Sequence, residues 1–322
     1  YYETEYLIPQ GDWLEIVGKG RYNTIDSACS AASNGDTIRV IADTQVGYKQ
    51  ACNGNKTLIF DLQNYSVSFT ETVTINSNIT FKGTGSINNL RTDTLILNGE
   101  TTILSGNYTS LGGVVLTNKN KLTIKGGTFE STDKNTIVND GTLVYNGNKN
   151  TSYIKSRDNY AVLNNDTFTL NNGSILSNGG VDNKGTFTMI NGKVEGLEKY
   201  SIISSDGTVD IKGGEVVNNY NTSMVLTCSA NATVEGNSKI SSTYGTAINN
   251  TGNTSDTCNG TNLYIKGGEV LGKTNGIANS NSSYLEVSGG HILGEDNNGI
   301  SINDVSAKIL SGIIEGGVYG IY

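Results

Sequence analysis

Proline occurs once in 322 residues, as do histidine and tryptophan. A chain this poor in proline keeps the backbone donors that a sheet ladder needs, because proline would delete one at each occurrence. Arginine is scarce too: Arg21, Arg39, Arg91 and Arg157 are scattered, and the net charge is −8. Nucleic acid and anionic membrane surfaces both call for clustered Lys and Arg, so neither is expected as a partner. No run approaches ~18 consecutive apolar residues, so no membrane insertion is expected within this segment. There is no CxxC and no histidine pair to hold zinc. No Lys-Ser/Thr follows a Gly-Gly corner at phosphate-loop spacing, and the GGxGxDxUx calcium roll is missing. No cofactor is expected.

Glycine, by contrast, is abundant, with 41 residues. It marks a phrase that repeats at about 22 residues, a period in the range of solenoids. The clearest copies lie between Leu263 and Gly294, where LYIKGGEVLG is followed by YLEVSGGHILG. Each copy is an alternating strand, a Gly-Gly corner and a second short strand. Related phrases are LTIKGGTFES from Leu122, FTLNNGSILS from Phe168, FTMINGKVEG from Phe187, VDIKGGEVVN from Val209 and AKILSGIIEG from Ala307. The second corner residue falls at Gly127, Gly173, Gly192, Gly214, Gly268, Gly290 and Gly312, with Asn237 marking the copy between Gly214 and Gly268. Alternation at period two with glycine at the corners specifies strands, and the length is that of one coil of a parallel β-helix. About a dozen coils from Thr37 onward would make a rod roughly 55–60 Å long at ~4.8 Å per coil. Ile75, Ile79, Phe81, Leu95, Leu97 and Ile103 are expected to face its core.

Residues 1–36 are expected to form an N-terminal segment ending in a short helix, capped by Asn23 and closed at Asn34-Gly35, which lies across the first coil. Residues 37–322 form the β-helix itself. The chain opens without Met and stops inside a unit at GVYGIY, so it is read as a piece of a longer protein in which more coils, a stalk or an anchor follow. Among the four cysteines, Cys29 and Cys52 lie together near the N-terminus. Cys258 lies on an insertion, and stacked coils bring Cys228 within reach of it. The expected disulfides are therefore Cys29–Cys52 and Cys228–Cys258, which imply an oxidising, extracellular compartment, against the alternative of four free thiols.

A small polar residue recurs at the turn that follows each short strand, at Val138-Asn139, Leu163-Asn164, Asp182-Asn183, Ile203-Ser204, Leu226-Thr227, Ile248-Asn249 and Ala278-Asn279. Stacked amides there can hydrogen-bond from coil to coil. This pattern resembles the asparagine ladder of the pectate-lyase-like right-handed parallel β-helix family. The phrase ACSAASNGDTIRVIAD, followed by the ITF and LTIKGG coils, is similar to the adhesive domains of bacterial surface proteins. The resemblance covers roughly residues 23–322 and implies fold more firmly than function.

A lyase or glycosidase of this fold would need acidic clusters on neighbouring coils, with a basic residue beside them in the lyase. Here Asp206 and Asp210 with Lys212 stand alone, as does Arg157-Asp158. His291 falls at a corner position that elsewhere holds Thr128, Glu215, Glu269 and Ile313, which is expected to be solvated. Lys125, Lys212 and Lys266, with Lys82, hold equivalent outward positions and are expected to form a solvated face. Asn-x-Ser/Thr triplets, among them those starting at Asn55, Asn107 and Asn231, arise readily in a chain this rich in Asn, Ser and Thr. Tyrosine outnumbers phenylalanine by 17 to 6. Tyr160, Tyr200, Tyr220, Tyr244 and Tyr319 precede the short strand that leads into this asparagine register and could form a discontinuous aromatic stripe of the kind sugar rings stack on. The expectation is a non-catalytic surface adhesin that presents a long face to a glycan, host-surface or matrix ligand, with self-association possible. A polysaccharide-degrading enzyme is the alternative, and a mechanical stalk or spacer the third.

Overall fold

The computed structural model describes residues 11–252 and 257–322. Residues 1–10 of the N-terminal segment and 253–256 of the insertion lie outside them. The chain divides into two compact units, Tyr1–Arg157 and Asp158–Tyr322. Each is a parallel β-solenoid, with about 13 coils counted over the two, and the fold is consistent with the expected right-handed β-helix. Strand makes up 57% of the described residues and helix 2%, so the class is all-β and the helix is a minor feature.

Every coil contributes to three parallel ladders, and like residues stack in register along each. In the first unit the first ladder aligns Ile38, Phe60, Phe81, Ile103, Ile124 and Tyr145. The second aligns Val67, Ile87, Tyr108, Phe129 and Ile154. These side chains are buried, and the aromatic ones touch: Phe60 and Phe81 lie 5.6 Å apart, Tyr108 and Phe129 5.0 Å apart and nearly parallel. Each fully buried large apolar side chain contributes on the order of 1.5–3 kcal/mol, which only stacking makes available. Tyr108 keeps its hydroxyl satisfied by donating to the Ser105 carbonyl at 3.0 Å, and burial pushes its pKa up.

The Gly-Gly corners behave as their spacing implies. Gly127, Gly173, Gly192, Gly214, Gly268, Gly290 and Gly312 all have positive φ, and at Gly127 (φ +97) a Cβ would also sit 2.7 Å from the Gly106 carbonyl oxygen. Only glycine meets both demands. One corner differs: Asn237 aligns with Gly213, and the positive φ has moved to Gly236.

The asparagine ladder is present, with its register corrected at two coils. Asn118 donates to Asn139 at 2.7 Å in the first unit. In the second, Asn164 donates to Asn183 at 2.7 Å, Asn183 to Ser204 at 3.2 Å and Asn250 to Asn279 at 2.6 Å. The position between Ser204 and Asn250 is held by Leu226 rather than Thr227, and Asn250 rather than Asn249 points inward. Each Nδ2 points toward the next coil, so a break leaves one atom unused on either side. Asn250 Oδ1, on the side of Leu226, and Asn279 Nδ2, on the side of Ile302, are buried without partners.

The N-terminal end is closed by more than a helix. Strands β1 (Leu14–Ile16) and β2 (Gly20–Tyr22) precede helix α1 (Ile25–Ala31) and strand β3 (Thr37–Val40). The N-cap is Thr24, not Asn23: its hydroxyl accepts the Ser27 N–H at 3.0 Å. The helix also ends earlier, at the C-cap Ala32. It buries Ile25, Ala28 and Cys29, while Gln50 accepts the Ile25 N–H at 2.7 Å and Asp26 accepts the Ala51 N–H at 3.0 Å. Lys56 donates to the carbonyls of Cys29 and Ser30, and Cys29 is bonded to Cys52. The helix cannot pair the free edge of β3, since its own backbone groups are used internally. Instead β1 pairs with β3 antiparallel, Leu14 against Val40, and β2 pairs with β1.

Candidate functional site

A second buried polar column, which the sequence expectations do not include, ends the strands of the second ladder. It runs through Asn89, Ser110, Ser131 and Ser156 in the first unit, and Ser177, Gly196, Asn218 and Ser242 in the second. Each polar side chain bonds the backbone of the turn beside it. Asn218 accepts the N–H groups of Tyr220 at 3.0 Å and Asn221 at 2.6 Å, and donates to the Lys199 carbonyl at 2.6 Å. Ser242 accepts the Gly245 N–H at 2.8 Å and donates to the Asn221 carbonyl at 2.7 Å. Turns built on successive members of this column are therefore held at matching heights.

Tyr220 and Tyr244 project from two such turns. Both are exposed, at 68% and 65%, and their rings stack with centroids 6.2 Å apart and planes 17° from parallel. Polar groups surround them in a fixed order. Asn219 donates to Glu195 at 2.9 Å and accepts from Thr243 at 3.1 Å, and Asn221 donates to the Glu198 carbonyl at 3.2 Å. The surface is thus two parallel aromatic faces bordered by amides, a hydroxyl and the Glu195 carboxylate.

The other tyrosines are placed differently. Tyr160 and Tyr200 are half-buried, two residues before the inward Val162 and Ile202, whereas Tyr220 and Tyr244 stand four residues before Met224 and Ile248. Tyr160 lies against Gly179, whose Cβ would fall 2.6 Å from the ring, and under the Lys199 ammonium at 5.5 Å. Tyr319 is exposed in the final coil and stacks on Tyr322 at 5.5 Å. The five residues do not line up as one stripe: the structure brings Tyr220 to Tyr244 and Tyr160 to the neighbourhood of Tyr200.

Asp182 faces outward between Leu163 and Ile203 on the third ladder, half-buried. Burial raises its pKa, and the Lys184 charge lowers it in part. Burial also raises the pKa of Tyr160, with the Asp182 charge adding to it. His291 lies where its spacing implies, between Glu269 and Ile313, and its Nε2 meets Glu315 at 2.6 Å. Glu235 follows Val234, which lies in register between Ile211 and Ile265, the residues before Lys212 and Lys266. Among the described residues no group of three or more His, Cys, Asp or Glu is placed to hold a metal ion. Cys228 is bonded to Cys258, which ties the insertion to the preceding coil. Two disulfides and no free cysteine indicate an oxidising environment, and among the described residues no helix is long and apolar enough to cross a membrane.

Fold and surface thus define a disulfide-bonded parallel β-solenoid with an exposed tyrosine platform. Compared with known proteins, the chain matches no protein-family model, no curated protein and no solved structure.

Proposed function

We propose that the chain is a non-catalytic, extracellular adhesin-type β-solenoid of a bacterial surface that binds glycan through the turn platform of Tyr220 and Tyr244. One observation carries this reading: two exposed tyrosines held parallel by a buried column, with Asn219, Asn221 and Thr243 beside them. Sugar rings present C–H faces that stack on aromatic rings and hydroxyls that amides and carboxylates bind. Titrating Tyr220→Ala and Tyr244→Ala against a glycan that binds the wild type tests it. Loss of about tenfold or more in affinity with unchanged folding supports the platform, and unchanged affinity removes it.

A second reading, a polysaccharide-degrading enzyme, draws on Asp182. A half-buried carboxyl with a raised pKa beside a tyrosine is the kind of group general acid catalysis uses. New reducing ends or unsaturated uronides that vanish in Asp182→Asn would establish it in place of the first.

A further inference from the structure

On the second ladder of the second unit, one outward position carries charges of alternating sign. In register from coil to coil it holds Lys193, Glu215, Lys239 and Glu269, and the next residue in the row is His291. Glu215, Lys239 and Glu269 are exposed, and among the described residues these three take part in no ion pair. Successive charges stand one strand spacing apart, ~4.8 Å. The next outward position along the same strands is largely uncharged: Leu176, Val217, Ser241, Leu271 and Leu293, with Glu195 the exception and already paired to Lys193 at 2.6 Å. Leu176 is 37% exposed.

We propose that this face is a homotypic docking surface for a second copy of the chain, laid antiparallel. Two sheet faces meet when a two-fold axis lies in the plane between them. If that axis runs along the strands, each outward row falls on its own counterpart in reversed order. With the axis between the strands of Glu215 and Lys239, Glu215 meets Lys239 of the other copy and Lys193 meets Glu269, twice each by symmetry. The same operation brings Leu176 onto Leu293. A parallel arrangement would set every charge against its own sign, and so is disfavoured. Long Lys and Glu side chains span the ~10 Å between packed sheets. The face measures about 30 Å by about 13 Å, well below the ~800 Å² per partner of a standard interface, so the association is weak and reversible. A surface protein displayed in many copies uses such contacts through multivalency.

Alternation along a ladder also settles charges within one chain, and a charge swap separates the two roles. Glu215→Lys or Lys239→Glu alone puts like charges face to face in the antiparallel pair. The double variant Glu215→Lys/Lys239→Glu destroys the alternation within the chain, to Lys, Lys, Glu, Glu, yet keeps every pair across the two-fold opposite in sign. Sedimentation velocity of the full chain over about 5–500 µM, at about 50 and about 500 mM salt, reads the outcome. The expected result is a concentration-dependent dimer that high salt weakens. Each single reversal should weaken it by about tenfold or more, and the double variant should recover to within about threefold of wild type. Circular dichroism confirms folding of each variant. A monomer throughout, a double variant as weak as the singles, or association indifferent to all these changes would overturn the proposal. Glycan binding at Tyr220 and Tyr244 is read separately and does not bear on it.

Discussion

Tyr220 and Tyr244 stack at 6.2 Å because the residues beneath their turns, Asn218 and Ser242, are register partners on adjacent strands. The platform is thus a product of the buried column and not of the tyrosines alone. Asn218→Ala should leave the N–H groups of Tyr220 and Asn221 and the Lys199 carbonyl without their partner. The expected cost is about 2 kcal/mol of stability, together with a loss of glycan affinity although no ring is removed. Denaturant titration and glycan titration of the same variant check both effects.

The ladder of the third strands makes a separate claim on stability. Asn183 donates to the Gly185 and Thr208 carbonyls, at 3.0 Å each, and is 0% exposed. Asn183→Ala should cost about 3 kcal/mol, because buried acceptors lose their donor and a cavity opens. An equilibrium denaturation midpoint unchanged from wild type would contradict the role assigned to this column.

At the corners the prediction is conformational. Gly127→Ala must hold a Cβ at φ +97 and 2.7 Å from a carbonyl oxygen, so it should destabilise by roughly 2 kcal/mol or more.

Asp182 gives a pH dependence with a definite sign. Its folded pKa is raised, so the folded state binds a proton more readily than the unfolded chain, and stability from this group falls as pH rises from 3.8 through the raised value. Asp182→Asn should therefore be more stable than wild type at neutral pH, with the difference shrinking as pH falls through the raised value and levelling off below pH 3.8. Unfolding midpoints of the two proteins measured across that range provide the check.

The N-terminal closure depends on a covalent link between helix and first coil. Cys29 and Cys52 are 23 residues apart, and a loop of that length corresponds to about 3 kcal/mol in the chain-entropy account. Cys29→Ala/Cys52→Ala should lower stability by that order and speed proteolysis between residues 25 and 56.

The coils were legible in the sequence because their signal is conformational: glycine at a positive φ has few substitutes, and all seven predicted corner glycines adopt one. The asparagine register slipped at Leu226-Thr227 and Asn249-Asn250, where two adjacent residues fit the pattern and only strand pairing decides which faces inward. The closure by β1 was not legible, since three-residue antiparallel strands carry no repeat. The tyrosines could not be aligned from sequence for a related reason. The turns that follow Gly196 and Asn218 are equally long, but Tyr200 and Tyr220 occupy different places within them, two and four residues before the strands that follow. A recurring Asn or Ser at the end of the second strand from Asn89 to Ser242, interrupted at Gly196, was the available sign of the column that sets those turns.

The most direct measurement is binding of the chain to a broad panel of glycans and extracellular-matrix proteins, with the same wells assayed for new reducing ends and unsaturated uronides. Binding without catalysis predicts saturable capture of a glycan, no product, and loss of capture in Tyr220→Ala/Tyr244→Ala. Product in any well, or capture that the double variant leaves intact, would contradict it.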